Sequence, residues 1–339
     1  MKAQPASIAV IGAGAFGTCL AAVVGLKGER VLLWGRNPDT MASLAATRSH
    51  PSRDGITIPD AVEPTTDLDA ALACPLLIGA VPAQQTRSFW GPLRERLHSD
   101  VGLLLASKGI EQGTGLRLDE IYAELYGADW VRSRLAALSG PTFARELARG
   151  VPSAAVVAAA DERLALTFQT ALAAPFFRLY AAGDLIGVEV AGAVKNVIAI
   201  AAGLSDGLGL GLNTRAAIVT RGLAEMTRFG VAQGADPATF SGLAGVGDLL
   251  LTATGDLSRN RTVGKRLGAG ESVAEVLGGM QEVAEGVTTT RSTLERAAAL
   301  GVEMPIAEQV GEILFNGKDP SRAVFDLMTR TLKRESAAP

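Results

Sequence analysis

The chain has 339 residues, enough for two domains with cores of their own, and 48% of them are apolar, which excludes a disordered or solvating protein. A net charge of −3 gives no electrostatic footprint for nucleic acid. Two cysteines (Cys19, Cys74) and two histidines (His50, His98) make neither a disulfide framework nor a ligand set, so no metal is expected.

Residues 1–6 read as a tail, and Ser7–Ile11 as a buried strand. Between Ala3 and Leu26 no charge follows Lys2, the outline of a signal peptide or membrane span. Gly12, Gly14, Gly17 and Gly25 break that outline, and no other segment has 18 mainly apolar, uncharged residues free of glycine and proline. The expectation is a soluble cytoplasmic protein without stable membrane insertion. After the glycines a helix runs to about Lys27, Gly28 closes it, and Arg30–Trp34 forms the next strand. Apolar runs at Pro75–Val81, Val101–Ala106, Leu135–Leu138 and Ala154–Ala159, separated by helical stretches, predict a parallel sheet covered on both faces.

From Leu185 helices follow helices, at about 185–204, 213–231, 262–268, 288–300, 304–315 and 319–332. Asn213-Thr214, Thr288 and Asp319-Pro320 read as helix starts, and Leu204–Leu212 as a loop. The predicted fold class is α/β plus all-α. A Rossmann-type dinucleotide-binding domain covers residues 1–184 and an all-α substrate and catalytic domain covers 185–339.

Gly12-x-Gly14-x-x-Gly17 follows a strand and opens a helix, the context a dinucleotide fingerprint requires. Gly12 permits the turn, Gly14 lets the backbone approach the pyrophosphate and Gly17 packs helix on strand. The second strand ends in Trp34-Gly35-Arg36-Asn37, with no acid for the ribose hydroxyls before Asp39. Arg36 suits a 2′-phosphate, which favours NADP(H) with NAD(H) also usable; an ordinary exposed turn residue is the plainer role.

Lys195 is the only charged residue between Glu189 and Asp206. Such an ammonium is paired, snorkelling, or at work in proton transfer. Tyr122, Tyr126 and Tyr180 lack a lysine four residues on, and His98 lies among polar residues, so elimination leaves Lys195 as the acid of a reductase. Three other segments carry groups for a small anion: Ser107-Lys108-Gly109, Ser139–Ala144, and Gly247-Asp248 leading to Thr252 and Ser258-Arg259-Asn260. Arg259 suits a phosphate, and Asp248 can pair with Lys195 and orient it. Thr142 and Ser258 are equally plain as helix caps, and Lys108 as a surface charge.

The segments IGAGAFGT (11–18), LWGRNP (33–38), SKGIE (107–111), SGPTFARELA (139–148), GAVKNVIAIAAGLSDGLGLG (192–211), TRGLAEM (220–226), GVGDLLLTATGDLSRNR (245–261) and GVEMPIAEQV (301–310) together resemble the bacterial NAD(P)-dependent glycerol-3-phosphate dehydrogenases. The likeness runs through nearly the whole chain. It implies hydride transfer between NAD(P)H and dihydroxyacetone phosphate, giving sn-glycerol 3-phosphate for phospholipid synthesis, by a homodimer. By matching position it implies Lys195 as proton donor and acceptor. Lys108, Gly140, Thr142, Asp248, Ser258, Arg259 and Asn260 are implied as substrate contacts, with Asn196 and Thr252 at polar substrate-site positions. Ala15, Phe16, Arg36, Lys108, Ala144, Arg259, Val283 and Glu285 are implied as cofactor contacts, beside Gly12, Gly14 and Gly17. Lys108 near Lys195 would favour the neutral amine, and Asp248 would oppose it. The chain departs from the family at His50-Pro51-Ser52-Arg53-Asp54-Gly55-Ile56, where relatives carry an Asn-rich stretch leading to Tyr- or Phe-Leu-Pro. The family's motif does not carry over onto this loop, and His50 stands only near a position where relatives place a cofactor contact.

Overall fold

A computed structural model describes residues 7–52, 55–280, 284–332 and 334. The chain forms two compact units, Met1–Lys108 with Leu118–Val188, and Gly109–Arg117 with Glu189–Pro339.

The first unit is built on one eight-stranded sheet. Its strands are β1 (Ile8–Ile11), β2 (Val31–Trp34), β3 (Val62–Thr65), β4 (Leu76–Gly79), β5 (Gly102–Leu105), β6 (Leu135–Ser139), β7 (Ser153–Ala159) and β8 (Phe177–Ala182). Their order is β3-β2-β1-β4-β5-β6-β7-β8. Neighbours from β3 through to β6 pair parallel, but β7 runs antiparallel to β6 and β8 follows β7. The sheet is therefore mixed, not wholly parallel as the apolar runs predict. β1 and β5 are buried at every residue, which is why they read as continuous apolar runs. β3 and β8 do not read that way because both are edge strands. β3 carries Pro64, tolerated where no partner needs its N–H, and Glu63, gripped by the Arg30 guanidinium at 2.6 Å. β8 turns Arg178 and Tyr180 outward, with the guanidinium 5.2 Å from the ring centre.

The second unit is helical. The helix Leu185–Gly207 enters it and is followed by Gly211–Val231, Asp248–Thr254, Arg259–Gly268, Glu285–Leu300, Pro305–Asn316 and Pro320–Met328. Asp319 caps the last of these, accepting from the Arg322 N–H at 2.9 Å. The helices expected to start at Asn213 and Thr288 instead begin at Gly211 and Glu285, neither with a side-chain cap. The first helix also runs on to Gly207, into the stretch that reads as a loop. It is long and apolar enough to cross a membrane, yet 89% of its most apolar window is buried, as in a core helix.

Two glycine pairs at i, i+4 spacing set one helix crossing. Gly203 and Gly207 of the helix Leu185–Gly207 meet Gly264 and Gly268 of the helix Arg259–Gly268. A Cβ at Gly203 would overlap the Arg261 carbonyl oxygen, and one at Gly264 that of Ile200; Gly207 and Gly268 face Lys265 and Leu204 in the same way. Residues four apart share a helix face, so the backbones touch along two turns.

A buried acid closes another helix start. Met304 gives the helix Pro305–Asn316 no side-chain cap, and Glu225 supplies the acceptor instead, taking the Ile306 N–H at 2.8 Å and the Ala307 N–H at 3.3 Å. Burial pushes the Glu225 carboxyl up to about 7, against the pull of those two N–H groups. The folded state then holds this proton more tightly than the unfolded chain, so the stability it contributes is full below the ordinary value of 4.5 and lost as pH rises to about 7. Urea midpoints taken across that window should fall with rising pH in the parent, and Glu225→Gln should flatten this component. An unchanged slope in the variant would remove Glu225 as its source.

Candidate active site

The fingerprint turn lies where the strand order reverses, between β1 and β4. Gly12 has φ +117°, and a Cβ there would stand 2.6 Å from the Ala80 oxygen at the end of β4. A side chain at Gly17 would overlap the Gly12 carbonyl, whereas one at Gly14 would meet nothing within 4 Å. Gly14 is the N-cap of the helix Ala15–Gly25 and offers no side-chain hydrogen bond to its first turn. The turn is therefore closed at Gly12 and Gly17 and open at Gly14, above uncapped N–H groups. That fits a pyrophosphate. Ala15 and Phe16 form the first turn of this helix, both half-buried. Arg36 follows β2 in the exposed stretch Arg36–Asp39. His50, from the divergent loop, reaches the same turn: its Nε2 lies 2.9 Å from the Ala13 carbonyl, while its Nδ1 accepts the Ser52 N–H at 3.3 Å. Arg53 and Asp54 of that loop, and Val283, lie outside the described residues.

The remaining first-unit candidates stand at strand ends. Lys108 is the last residue before the chain passes to the second unit. It follows Ser107, whose hydroxyl donates to the Val81 carbonyl and so ties the end of β5 to that of β4. Gly140 ends β6 with φ +151° and backs onto Ala155 of β7, where a Cβ would come within 2.7 Å of the Ala155 Cα. Thr142 donates to the Gly140 carbonyl at 3.1 Å, and Ala144 opens the helix Ala144–Leu147. The tyrosines are committed elsewhere. Tyr126 donates to the Trp90 carbonyl at 2.6 Å, and the buried Tyr122 stacks on Trp130 at 6.0 Å between ring centres.

In the second unit Lys195 pairs directly with Asp248, the two being 7% and 2% exposed. Removing such charges from water costs several kcal/mol each, so the pair holds only because each offsets the other. Asp248 arrives there by an unusual route. The Gly247 N–H bonds to the Gly242 carbonyl at 3.2 Å, a wide five-residue turn, and Gly245 presses on the Phe240 backbone too closely for any Cβ. Thr252, one turn on, donates to the Asp248 carbonyl at 2.6 Å and lies 3.3 Å from its carboxylate.

Ser258 caps the helix Arg259–Gly268, accepting from the Arg261 N–H at 3.2 Å. Arg259, at the first helical position, is exposed. Asn260 is buried and faces inward: its Nδ2 donates to Asn196 Oδ1 at 2.9 Å and its Oδ1 accepts the Gly286 N–H at 3.0 Å. It joins the helix carrying Lys195, the helix headed by Arg259, and the helix begun by Glu285. Lys195, Asn196, Asp248, Thr252, Ser258, Asn260 and Glu285 are thus brought into one region of this unit. An ammonium held by a carboxylate beside an anion-suited helix start can protonate a forming alkoxide on a phosphate-bearing substrate. The Gly286 N–H and the His50–Ala13 contact carry no sequence signal, because both depend on backbone groups that every residue owns.

Comparison with known proteins places the chain in a family. Residues 7–165 match the family model for the NAD-dependent glycerol-3-phosphate dehydrogenase N-terminus, and residues 184–325 that for the C-terminus. The chain is 49% identical over 330 residues to a glycerol-3-phosphate dehydrogenase [NAD(P)+] of Geobacter sp. (strain M21), covering 97% of this chain and 98% of the relative. It is 47% identical to that of Myxococcus xanthus, at 97% and 98% coverage. Among solved structures, glycerol-3-phosphate dehydrogenase from Coxiella burnetii superimposes with a TM-score of 0.90 at 35% identity, covering 95% of this chain and 98% of that one. The chain therefore belongs to the NAD-dependent glycerol-3-phosphate dehydrogenase family.

Proposed function

We propose that this chain catalyses reversible hydride transfer between NAD(P)H and dihydroxyacetone phosphate, yielding sn-glycerol 3-phosphate, a phospholipid precursor. The observation that carries this reading is the buried Lys195–Asp248 pair, on the helix that crosses the one headed by Ser258 and Arg259. Bound NAD(P)H supplies the hydride. Lys195 polarises the carbonyl oxygen and releases a proton to it as the alkoxide forms; in the reverse direction it takes the proton back. Asp248 holds the ammonium in place, and Thr252 and Asn196 steady the two helices from which the pair projects. The Ser258 hydroxyl, the Arg259 guanidinium and the first N–H groups of their helix hold the phosphate, whose binding energy positions the carbonyl carbon.

From the first unit, Lys108, Gly140 and Thr142 serve the substrate. Gly12, Gly14, Ala15, Phe16, Gly17, Arg36, Lys108 and Ala144 serve the cofactor, together with Arg259, Val283 and Glu285. The exposed Arg36 supports NADPH as the better cofactor, with NADH also used. The enzyme works in the cytoplasm as a homodimer; the burial of its apolar helix supports a protein that does not insert into membranes.

The test is the loss of NADPH absorbance on adding dihydroxyacetone phosphate, with hydroxypyruvate and ketopantoate as carboxylate controls. Turnover with a carboxylate alone would move the chain to another lysine-using reductase class, and NADPH binding without turnover would make it a sensor. Arg259→Ala should raise the KM for dihydroxyacetone phosphate by about a hundredfold, as expected for losing a charge-assisted fork, and change kcat less. An unchanged KM would remove Arg259 from the phosphate site.

A further inference from the structure

Arg261 stands third in the helix Arg259–Gly268, its side chain 12% exposed. Its guanidinium makes two ion pairs in different directions. Nε donates to Asp206 Oδ2 at 2.8 Å and Nη1 to Asp256 Oδ1 at 2.7 Å. Asp206 belongs to the last turn of the helix carrying Lys195, and Arg215 of the next helix holds it from the other side at 3.1 Å. Asp256 lies in the connection into the helix headed by Arg259 and its side chain is otherwise open to solvent, at 97% exposure. The Arg261 backbone is engaged as well: its carbonyl abuts Gly203, and its N–H is the one that Ser258 caps.

Asp256 is two residues from Ser258, so wherever Asp256 is pinned the Ser258 hydroxyl and the first N–H groups of the helix follow within a few ångströms. The pin runs through Arg261 to Asp206, on the helix that presents Lys195. We propose that Arg261 is a positioning residue for the phosphate end of the substrate. Bridging Asp256 to Asp206, it holds Ser258 and Arg259 at a set distance from Lys195 without itself touching substrate. The inference rests on the reading of Ser258 and Arg259 as the phosphate contacts. Arginine is needed because a planar fork serves two carboxylates on different bearings, whereas a lysine ammonium is a single point.

Asp256→Asn and Arg261→Lys test it, the first on an exposed side chain whose change leaves the core untouched. Each should raise the KM for dihydroxyacetone phosphate by about tenfold, leaving kcat within about twofold, because a shifted contact weakens binding before chemistry. The inhibition constant of inorganic phosphate should rise by the same factor, and the KM for NADPH should hold. In the double variant the effects should not multiply, since both break one bridge. A merely structural role would lower the unfolding midpoint with both phosphate constants unchanged, and that result overturns the proposal. If Arg259→Ala raises KM but neither Asp256→Asn nor Arg261→Lys does, the positioning role alone falls. If Arg259→Ala has no effect, the phosphate reading falls and takes this inference with it.

Discussion

Lys195→Arg should lose at least about a hundredfold in kcat while keeping its fold and its affinity for NADPH. The arginine is chosen over alanine for a physical reason. Asp248 is 2% exposed, so deleting its partner strands a buried carboxylate, which costs about 3–5 kcal/mol and confounds activity with folding. A guanidinium keeps the positive charge beside Asp248 but stays protonated at neutral pH. It can still polarise a carbonyl, yet it is too weak an acid to release its proton readily and has no free lone pair to take one back in the reverse direction. A variant retaining most of the parent kcat would assign Lys195 to charge stabilisation alone. If Lys195→Ala, where it folds, falls further than Lys195→Arg, the difference measures the electrostatic share. Fluorescence titration with NADPH reads cofactor affinity separately.

Gly264→Ala should be among the most destabilising single methyl additions in the second unit. The new Cβ would overlap the Ile200 carbonyl oxygen and stand 2.8 Å from the Leu204 nitrogen, both backbone atoms of a helix that cannot rotate away. Overpacking of this kind costs about 1–3 kcal/mol, more where no side chain can yield. The displaced helix carries Asn260, so its 2.9 Å bond to Asn196 should lengthen and KM for the substrate should rise with the loss of stability. Gly278→Ala is the control: it too is helical, but a Cβ there meets nothing within 4 Å, so helix propensity leaves it neutral or slightly stabilising. Urea midpoints of the two variants decide the matter. Equal midpoints would mean the crossing has room that the backbone contacts deny.

The contrast between what the chain announces and what it conceals follows from the same distinction between side chain and backbone. The fingerprint was legible because three glycines at fixed spacing answer to three different steric demands. Lys195 was legible because a charge among apolar neighbours demands a partner, and the pair with Asp248 supplies one. β3 and β8 were not, since edge strands need neither continuous burial nor a donor at every residue. The excursion Gly109–Arg117 into the second unit left no pattern either, being too short for periodicity. Asn260 reads as a substrate contact from its place beside Arg259, and one N–H and the oxygen of its amide also engage Asn196 and Gly286. Its side chain is a joint between helices, a role that only three-dimensional partners reveal. The helix starts expected at Asn213 and Thr288 failed because these residues lie inside their helices, where the Thr214 and Thr288 hydroxyls donate back to the Leu210 and Glu285 carbonyls instead of accepting a first-turn N–H.

The glycine crossing also makes chain length a constraint. Lys195 and Gly203 lie on one continuous helix, so the contact with Arg261 fixes the rotational phase at which the lysine emerges toward Asp248. One residue inserted between them would turn the lysine by about 100° about the helix axis while the crossing stayed in place. Substitutions that keep volume can drift through this stretch, but a single-residue insertion or deletion cannot. The segment from Lys195 to Gly203 behaves as a ruler whose length, as much as its composition, sets where the proton is delivered.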